Sequence, residues 1–208
     1  MRVRVKICGM TRPEDALHAA RAGADAIGLV FYEPSPRHVT PAQAASVAKT
    51  LPAFVSRVGL FVDAGQEAVH AALREVPLDL LQFHGSEDPE YCRSFGRPYI
   101  KTLRMAEGAD VTAFARRYAD ACALLLDAYV PGVPGGTGQV FDWARIPRDP
   151  GLPVILAGGL TPENVGEAVR RVRPWAVDVS GGVEAGPGRK DERLVEAFLR
   201  AVRSAGEA

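Results

Sequence analysis

The chain has 208 residues, 47% of them hydrophobic, which suits one globular domain with a substantial core and is short for two. Lysine plus arginine number 25, as do aspartate plus glutamate, so the formal net charge is zero. That balance removes the general electrostatic pull toward nucleic acid or an anionic membrane, but leaves room for a local anion site built from backbone N–H groups.

Along the chain, short apolar runs alternate with longer amphipathic ones. The opening MRVRVKICGM interleaves charges with apolar residues, which reads as a strand over residues 3–8 and not as a secretory signal. Further strands are expected over 26–31, 58–62, 80–84, 99–103, 123–127, 154–157 and 176–179. Between them, helices are expected over 13–22, 41–50, 66–75, 89–95, 111–118, a short piece near Trp143, 162–172 and 191–204. Helix-start signals support this register. Thr11 and Glu14 have capping-box spacing, and Thr161-Pro162-Glu163 places a cap, a proline at the first helical position and an acid in the first turn. No segment reaches ~18 uninterrupted apolar residues, so no membrane span is expected.

Eight strand–helix units predict an α/β chain folded as a single-domain (β/α)8 TIM barrel over residues 1–208, compact beside the typical length of about 250 residues. The rival is an open doubly wound sheet, but neither GxGxxG nor GxxxxGK[ST] occurs. Cys8, Cys92 and Cys122 are scattered, and their odd number argues against a disulfide framework and for a reducing, cytoplasmic setting. The four histidines lie on separate segments with no HxH or HExxH, so no metal site is expected.

Barrel chemistry sits at the C-terminal ends of the strands. Strand alternation turns Cys8 inward with Lys6, His84 with Gln82, Asp127 with Leu125, and Asp178 with Ala176, while the intervening apolar residues face the helices. A buried lysine needs a counter-charge, so Lys6 is expected to pair with Asp127 or Asp178. Singly these residues have plain structural readings: a core cysteine, a loop-capping aspartate, a satisfied histidine, glycines in turns. Their convergence at one end of one barrel favours a site. Gly158-Gly159 and Ser180-Gly181-Gly182 follow the last two strands, where barrels often bind phosphate and where glycine permits close backbone approach.

The motifs KICGMT (6–11), GLVFYEPSPRH (28–38), VGLFV (58–62), LQFHG (81–85), LD (126–127), GGTG (135–138), FDW (141–143), LAGGLTPENV (156–165) and VDVSGGVE (177–184) appear in this order. Together they resemble the phosphoribosylanthranilate isomerase family of tryptophan biosynthesis. The resemblance implies a cofactor-free Amadori rearrangement of a small phosphosugar, from the aminoaldose to 1-(2-carboxyphenylamino)-1-deoxyribulose 5-phosphate. It casts Asp127 as general acid and Cys8 as general base. It places Arg37 against the anthranilate carboxylate, assigns Gly158, Gly159, Ser180 and Gly181 to phosphate, and puts His84 and Asp178 in or beside the site. It leaves a homodimer open.

To act as a thiolate, Cys8 would need a lowered pKa, which Lys6 is expected to supply. Asp127 would need the reverse, so as to carry a proton. Residues 128–137 depart from the charged loop of some relatives, and Gly181 stands where some carry a second serine. Other phosphosugar barrels would share the phosphate loops but would be expected to carry a Lys/Glu arrangement or two aspartates where Cys8 and Asp127 stand. A non-catalytic binder on the same fold would not need to retain a thiol and an acid.

Overall fold

The computed structural model describes residues 2–128 and 140–206. The GGTG motif and nearly all of the departing loop lie outside these residues. Eight parallel strands close into a barrel in sequence order: β1 (Arg4–Ile7), β2 (Ala26–Val30), β3 (Ser56–Phe61), β4 (Leu80–Phe83), β5 (Tyr99–Arg104), β6 (Ala123–Asp127), β7 (Val154–Leu156) and β8 (Ala176–Val179). The seam is the pairing of the first strand with the last, which sets Lys6 beside Asp178. Around the barrel lie α1 (Pro13–Ala22), α2 (Pro41–Ala48), α3 (Gln66–Glu75), α4 (Pro89–Arg93), α5 (Val111–Arg117), α6 (Val165–Val172) and α7 (Glu192–Gly206). No helix among the described residues is long and apolar enough to cross a membrane.

Alternation along the strands produces two apolar layers. Ile7, Leu29, Phe83 and Val177 face outward and pack against Ala16, Val47 and Phe198 of the helices. Val58, Ile100, Leu125, Ile155 and Ala176 fill the barrel interior and form the floor beneath the site. Each fully buried side chain of this size is worth about 1.5–3 kcal/mol.

Some local expectations are corrected. Thr11 does not cap α1: its hydroxyl donates to the Gly188 carbonyl, and the extended Arg12 precedes the helix with no side-chain cap. The helix expected from residue 162 starts at Val165. Thr161 instead closes a preceding turn, accepting from the Glu163 amide while its own N–H donates to Asn164 Oδ1. The piece near Trp143 is one 3-10 turn, Trp143–Arg145, capped by Asp142. After β8 the chain forms a hairpin of β9 (Glu184–Gly186) and β10 (Arg189–Lys190), which the sequence patterns do not announce.

Candidate active site

A cavity of about 640 Å³ opens at the C-terminal ends of the strands. Cys8 enters it just past β1, Arg37 from the loop after β2, His84 just past β4, and Asp127 at the end of β6. Gly158 and Gly159 line it after β7, and Asp178, Ser180 and Gly181 from β8 and its loop. Thus all nine residues singled out from sequence face one space.

Lys6 and Asp178 form a nearly dry ion pair at 2.9 Å across the barrel seam. Burial works to discharge Lys6, but the Asp178 carboxylate and the Cys8 sulfur outweigh it and hold its pKa above the ordinary value. The expected lowering of the Cys8 pKa is overturned. Burial pushes the thiol up, Lys6 pulls it down without prevailing, and Asp178 adds to the rise. The sign follows: the resting form is the neutral thiol, and the thiolate fraction grows as pH climbs past the ordinary cysteine value of about 8.5. Lys6→Met should push the Cys8 pKa higher still. Alkylation of the Cys8 peptide by iodoacetamide, followed by mass spectrometry against pH, should move to higher pH in that variant. An unmoved profile would remove Lys6 from the electrostatics of the thiol.

Room for this trio comes from Gly28 on β2. A Cβ there would lie 2.6 Å from Cys8 Sγ and 3.0 Å from Lys6 Nζ. On the opposite wall, Gly158 has φ +85, and a Cβ would come within 2.4 Å of the Ala128 amide nitrogen. Glycine therefore lets the β7 loop pass against the end of β6, where the Ala128 N–H donates to Asp127 Oδ1 at 2.9 Å. The other oxygen, Oδ2, lies 3.2 Å from His84 Nε2. Behind His84, its Nδ1 faces the Gln82 amide at 3.1 Å and the Thr102 hydroxyl at 3.2 Å.

Arg37 is held by Glu184, which accepts from Nε at 2.8 Å and from Nη2 at 2.7 Å. That paired geometry fixes the plane of the guanidinium, and the Glu184 bond raises the Arg37 pKa against burial. Burial would raise the Glu184 carboxyl, but Arg37 and Lys190 outweigh it and hold its pKa low. Lys190, itself buried, also donates to the Ser180 carbonyl at 3.1 Å. Ser180 Oγ in turn donates to the Cys8 carbonyl at 3.1 Å, tying the β8 loop to the end of β1. Replacing Glu184 with glutamine should loosen Arg37. A charge-assisted hydrogen bond contributes about 1.5–3 kcal/mol, so a KM increase of about tenfold with a smaller change in kcat is expected from steady-state kinetics.

Gln82, Thr102, Glu184 and Lys190 thus join the site. Alternation already turns Gln82 inward, and the same rule applied to β5 would have found Thr102 beside Ile100. Lys190 sits on the unannounced hairpin, and no sequence spacing points to it. Among the described residues, no group of three or more histidine, cysteine, aspartate or glutamate side chains is placed to hold a metal ion.

Residues 5–201 match the family model for N-(5'-phosphoribosyl)anthranilate (PRA) isomerase. The chain belongs to this isomerase family. An N-(5'-phosphoribosyl)anthranilate isomerase from Nitrosococcus oceani is 60% identical over 204 residues, covering 98% of this chain and 99% of the relative. The solved phosphoribosyl anthranilate isomerase from Thermotoga maritima superposes with a TM-score of 0.90 at 42% identity, covering 97% of this chain and 99% of that one. The isomerase of that organism is described as dimeric. A further isomerase structure, in complex with reduced 1-(o-carboxyphenylamino)-1-deoxyribulose 5-phosphate, has a TM-score of 0.86 at 40% identity with the same coverage.

Proposed function

We infer that this cavity converts N-(5'-phosphoribosyl)anthranilate into 1-(2-carboxyphenylamino)-1-deoxyribulose 5-phosphate, the isomerase step of tryptophan biosynthesis. The observation that carries this reading is that Cys8 and Asp127 face one cavity whose rim is made of the two glycine-bearing loops after β7 and β8. Asp127 protonates the ribose ring oxygen. The C1–O bond breaks toward that oxygen, and the anilino nitrogen lone pair forms a C1=N iminium. The iminium acidifies the C2–H bond, so a base of modest strength suffices, and Cys8 removes that proton from the fraction present as thiolate. The enolamine then collapses: C1 takes a proton from the Cys8 thiol, and the C2 hydroxyl returns one toward Asp127 as the ketone forms. C1 is reduced and C2 oxidised within one molecule, so the balance closes without a cofactor.

Arg37, with its plane set by Glu184, suits the planar anthranilate carboxylate. Gly158, Gly159, Ser180 and Gly181 suit the phosphate. Asp178 acts through Lys6, and His84 through Asp127. Residues 1–208 serve as one catalytic domain. The unpaired cysteines among the described residues fit a reducing, cytoplasmic setting. The direct test mixes the purified protein with phosphoribosylanthranilate generated in situ, following its fluorescence and the product by chromatography. Conversion no faster than the spontaneous rate would sink the assignment.

A homodimer through the opposite end of the barrel is part of this reading. Phe54, in the loop before β3, is fully exposed and held at φ 69, a conformation disfavoured for an aromatic residue. At the same end, a groove of about 680 Å³ is lined by Val3, Pro153, Pro174 and Trp175, among others. A second copy supplies what each feature lacks: a cover for the phenyl ring and an occupant for the groove. Light scattering on Phe54→Glu should show the dimer mass falling to that of the monomer. An unaltered dimer would place the interface elsewhere, and a monomeric wild type would remove it.

A further inference from the structure

Asp127 has a difficulty as an acid. An aspartate ordinarily loses its proton near pH ~3.9, and Oδ1 already accepts the Ala128 N–H. A lone carboxylate at this position would be empty of the proton it has to give. What stands behind it addresses this. His84 is buried, and its ring bridges Asp127 Oδ2 on one side to Gln82 and Thr102 on the other. Its protonation state is therefore set by whether Nδ1 finds a donor or an acceptor.

Thr102 Oγ1 can be either. Gln82 can also be either, because half a turn of its amide exchanges oxygen for nitrogen. Gln82 Oε1 is buried with no hydrogen-bond partner among the described residues, whereas its Nε2 faces the ring. Turning the amide exchanges the two, so that Oε1 accepts from a Nδ1–H and Nε2 takes the place where Oε1 stood. With Nδ1 protonated, the space between Nε2 and Oδ2 must hold a second proton, since otherwise a lone pair would face a carboxylate. Resting on the reading of Asp127 as the acid, we propose that Gln82, Thr102 and His84 form a proton-holding relay. In it, Nδ1–H donates to Gln82 Oε1 and Thr102 Oγ1, and one proton is shared between His84 Nε2 and Asp127 Oδ2.

The balance is simple. The pair gives up that one proton from Asp127 to the ring oxygen as the C1–O bond breaks. It regains one from the C2 hydroxyl as the ketone forms. Between those events Nε2 and Oδ2 face each other without a proton, a repulsion that favours recapture. His84, Gln82 and Thr102 are positioning residues here, and Asp127 is the group that meets substrate. The other charges around the pair do not supply this proton. Arg104 on β5 donates to the His84 carbonyl at 3.5 Å. Lys6 and Asp178 are committed to each other, and Cys8 is the base. Lys101 and Glu87, behind the loop after β4, form their own buried pair at 2.8 Å.

Nitrogen-15 NMR of histidine-labelled enzyme reads this directly. The His84 signals are identified by their loss in His84→Gln. The expected result is Nδ1 protonated from pH 5 to 9, with the Nε2 signal shifted by the proton it shares with Asp127. In Gln82→Met combined with Thr102→Val, the Nδ1–H form should give way to the Nε2–H form and kcat at pH 8 should fall by about tenfold, with KM within about twofold. A neutral ring with its proton on Nε2 across the whole range would overturn the relay, and it does so on the unmodified enzyme. Asp127→Asn separates the two readings. If that change abolishes activity while wild-type His84 shows the Nε2–H form, the acid assignment stands and the relay falls. If Asp127→Asn stays active, both fall together.

Discussion

Replacing Cys8 with alanine is expected to lower kcat by about a thousandfold, within the 10²–10⁴ that a positioned base ordinarily contributes. The thiol reaches the cavity from the first strand and packs beneath it against Val30 and Leu60. Its loss removes one heavy atom from a well-filled wall, at a cost of about 1 kcal/mol in stability, so the fold should survive. KM should stay within about a factor of three, because the sulfur takes a proton in the transition state and binds no group of the ground state. Cys8→Ser sharpens the result. The hydroxyl has nearly the same size but does not ionise in the accessible range, so it should be as inactive as alanine. Single-turnover decay of substrate fluorescence measures both variants. A Cys8→Ala enzyme within tenfold of wild type would place the base elsewhere on the rim.

Asp127→Asn should be of similar severity, about 10²–10⁴ in kcat, for the opposite reason. The amide keeps the shape and can still accept the Ala128 N–H through its oxygen, but it has no proton to transfer to the ring oxygen. Ring opening, not C2–H removal, should then limit the rate. A substrate deuterated at C2 should show a smaller isotope effect in this variant than in the wild type. Retained turnover would transfer the acid role to another group, and an enlarged isotope effect would contradict the order of steps.

The fold was legible because eight short apolar runs and the amphipathic segments between them repeat one unit, and alternation in β1, β4, β6 and β8 told inner from outer faces. The pairing of Lys6 followed from the cost of burying a bare ammonium. Legibility ended where long-range contacts decide. Thr11 has the spacing of a cap, yet Gly188, far along the chain, takes its hydroxyl. The Cys8 pKa depends on depth of burial, which competes with a neighbouring charge and outweighs it. Arg37 was visible, but its clamp on Glu184 and the support from Lys190 require β8 and its hairpin to close against β1 and β2.

That seam also orders events in time. Lys6 is synthesised 172 residues before its counter-charge, Asp178. Chains are made at about 5–20 residues per second, so a nascent chain spends about 10–30 seconds with an ammonium facing an unclosed interior. Truncated chains ending before β8 lack the partner altogether and leave that charge bare, at a cost that discourages native closure. The seam therefore acts as a completion check: a barrel that has not received β8 has neither its closing ladder nor the anion that pairs with Lys6. Catalysis becomes a property of finished molecules only.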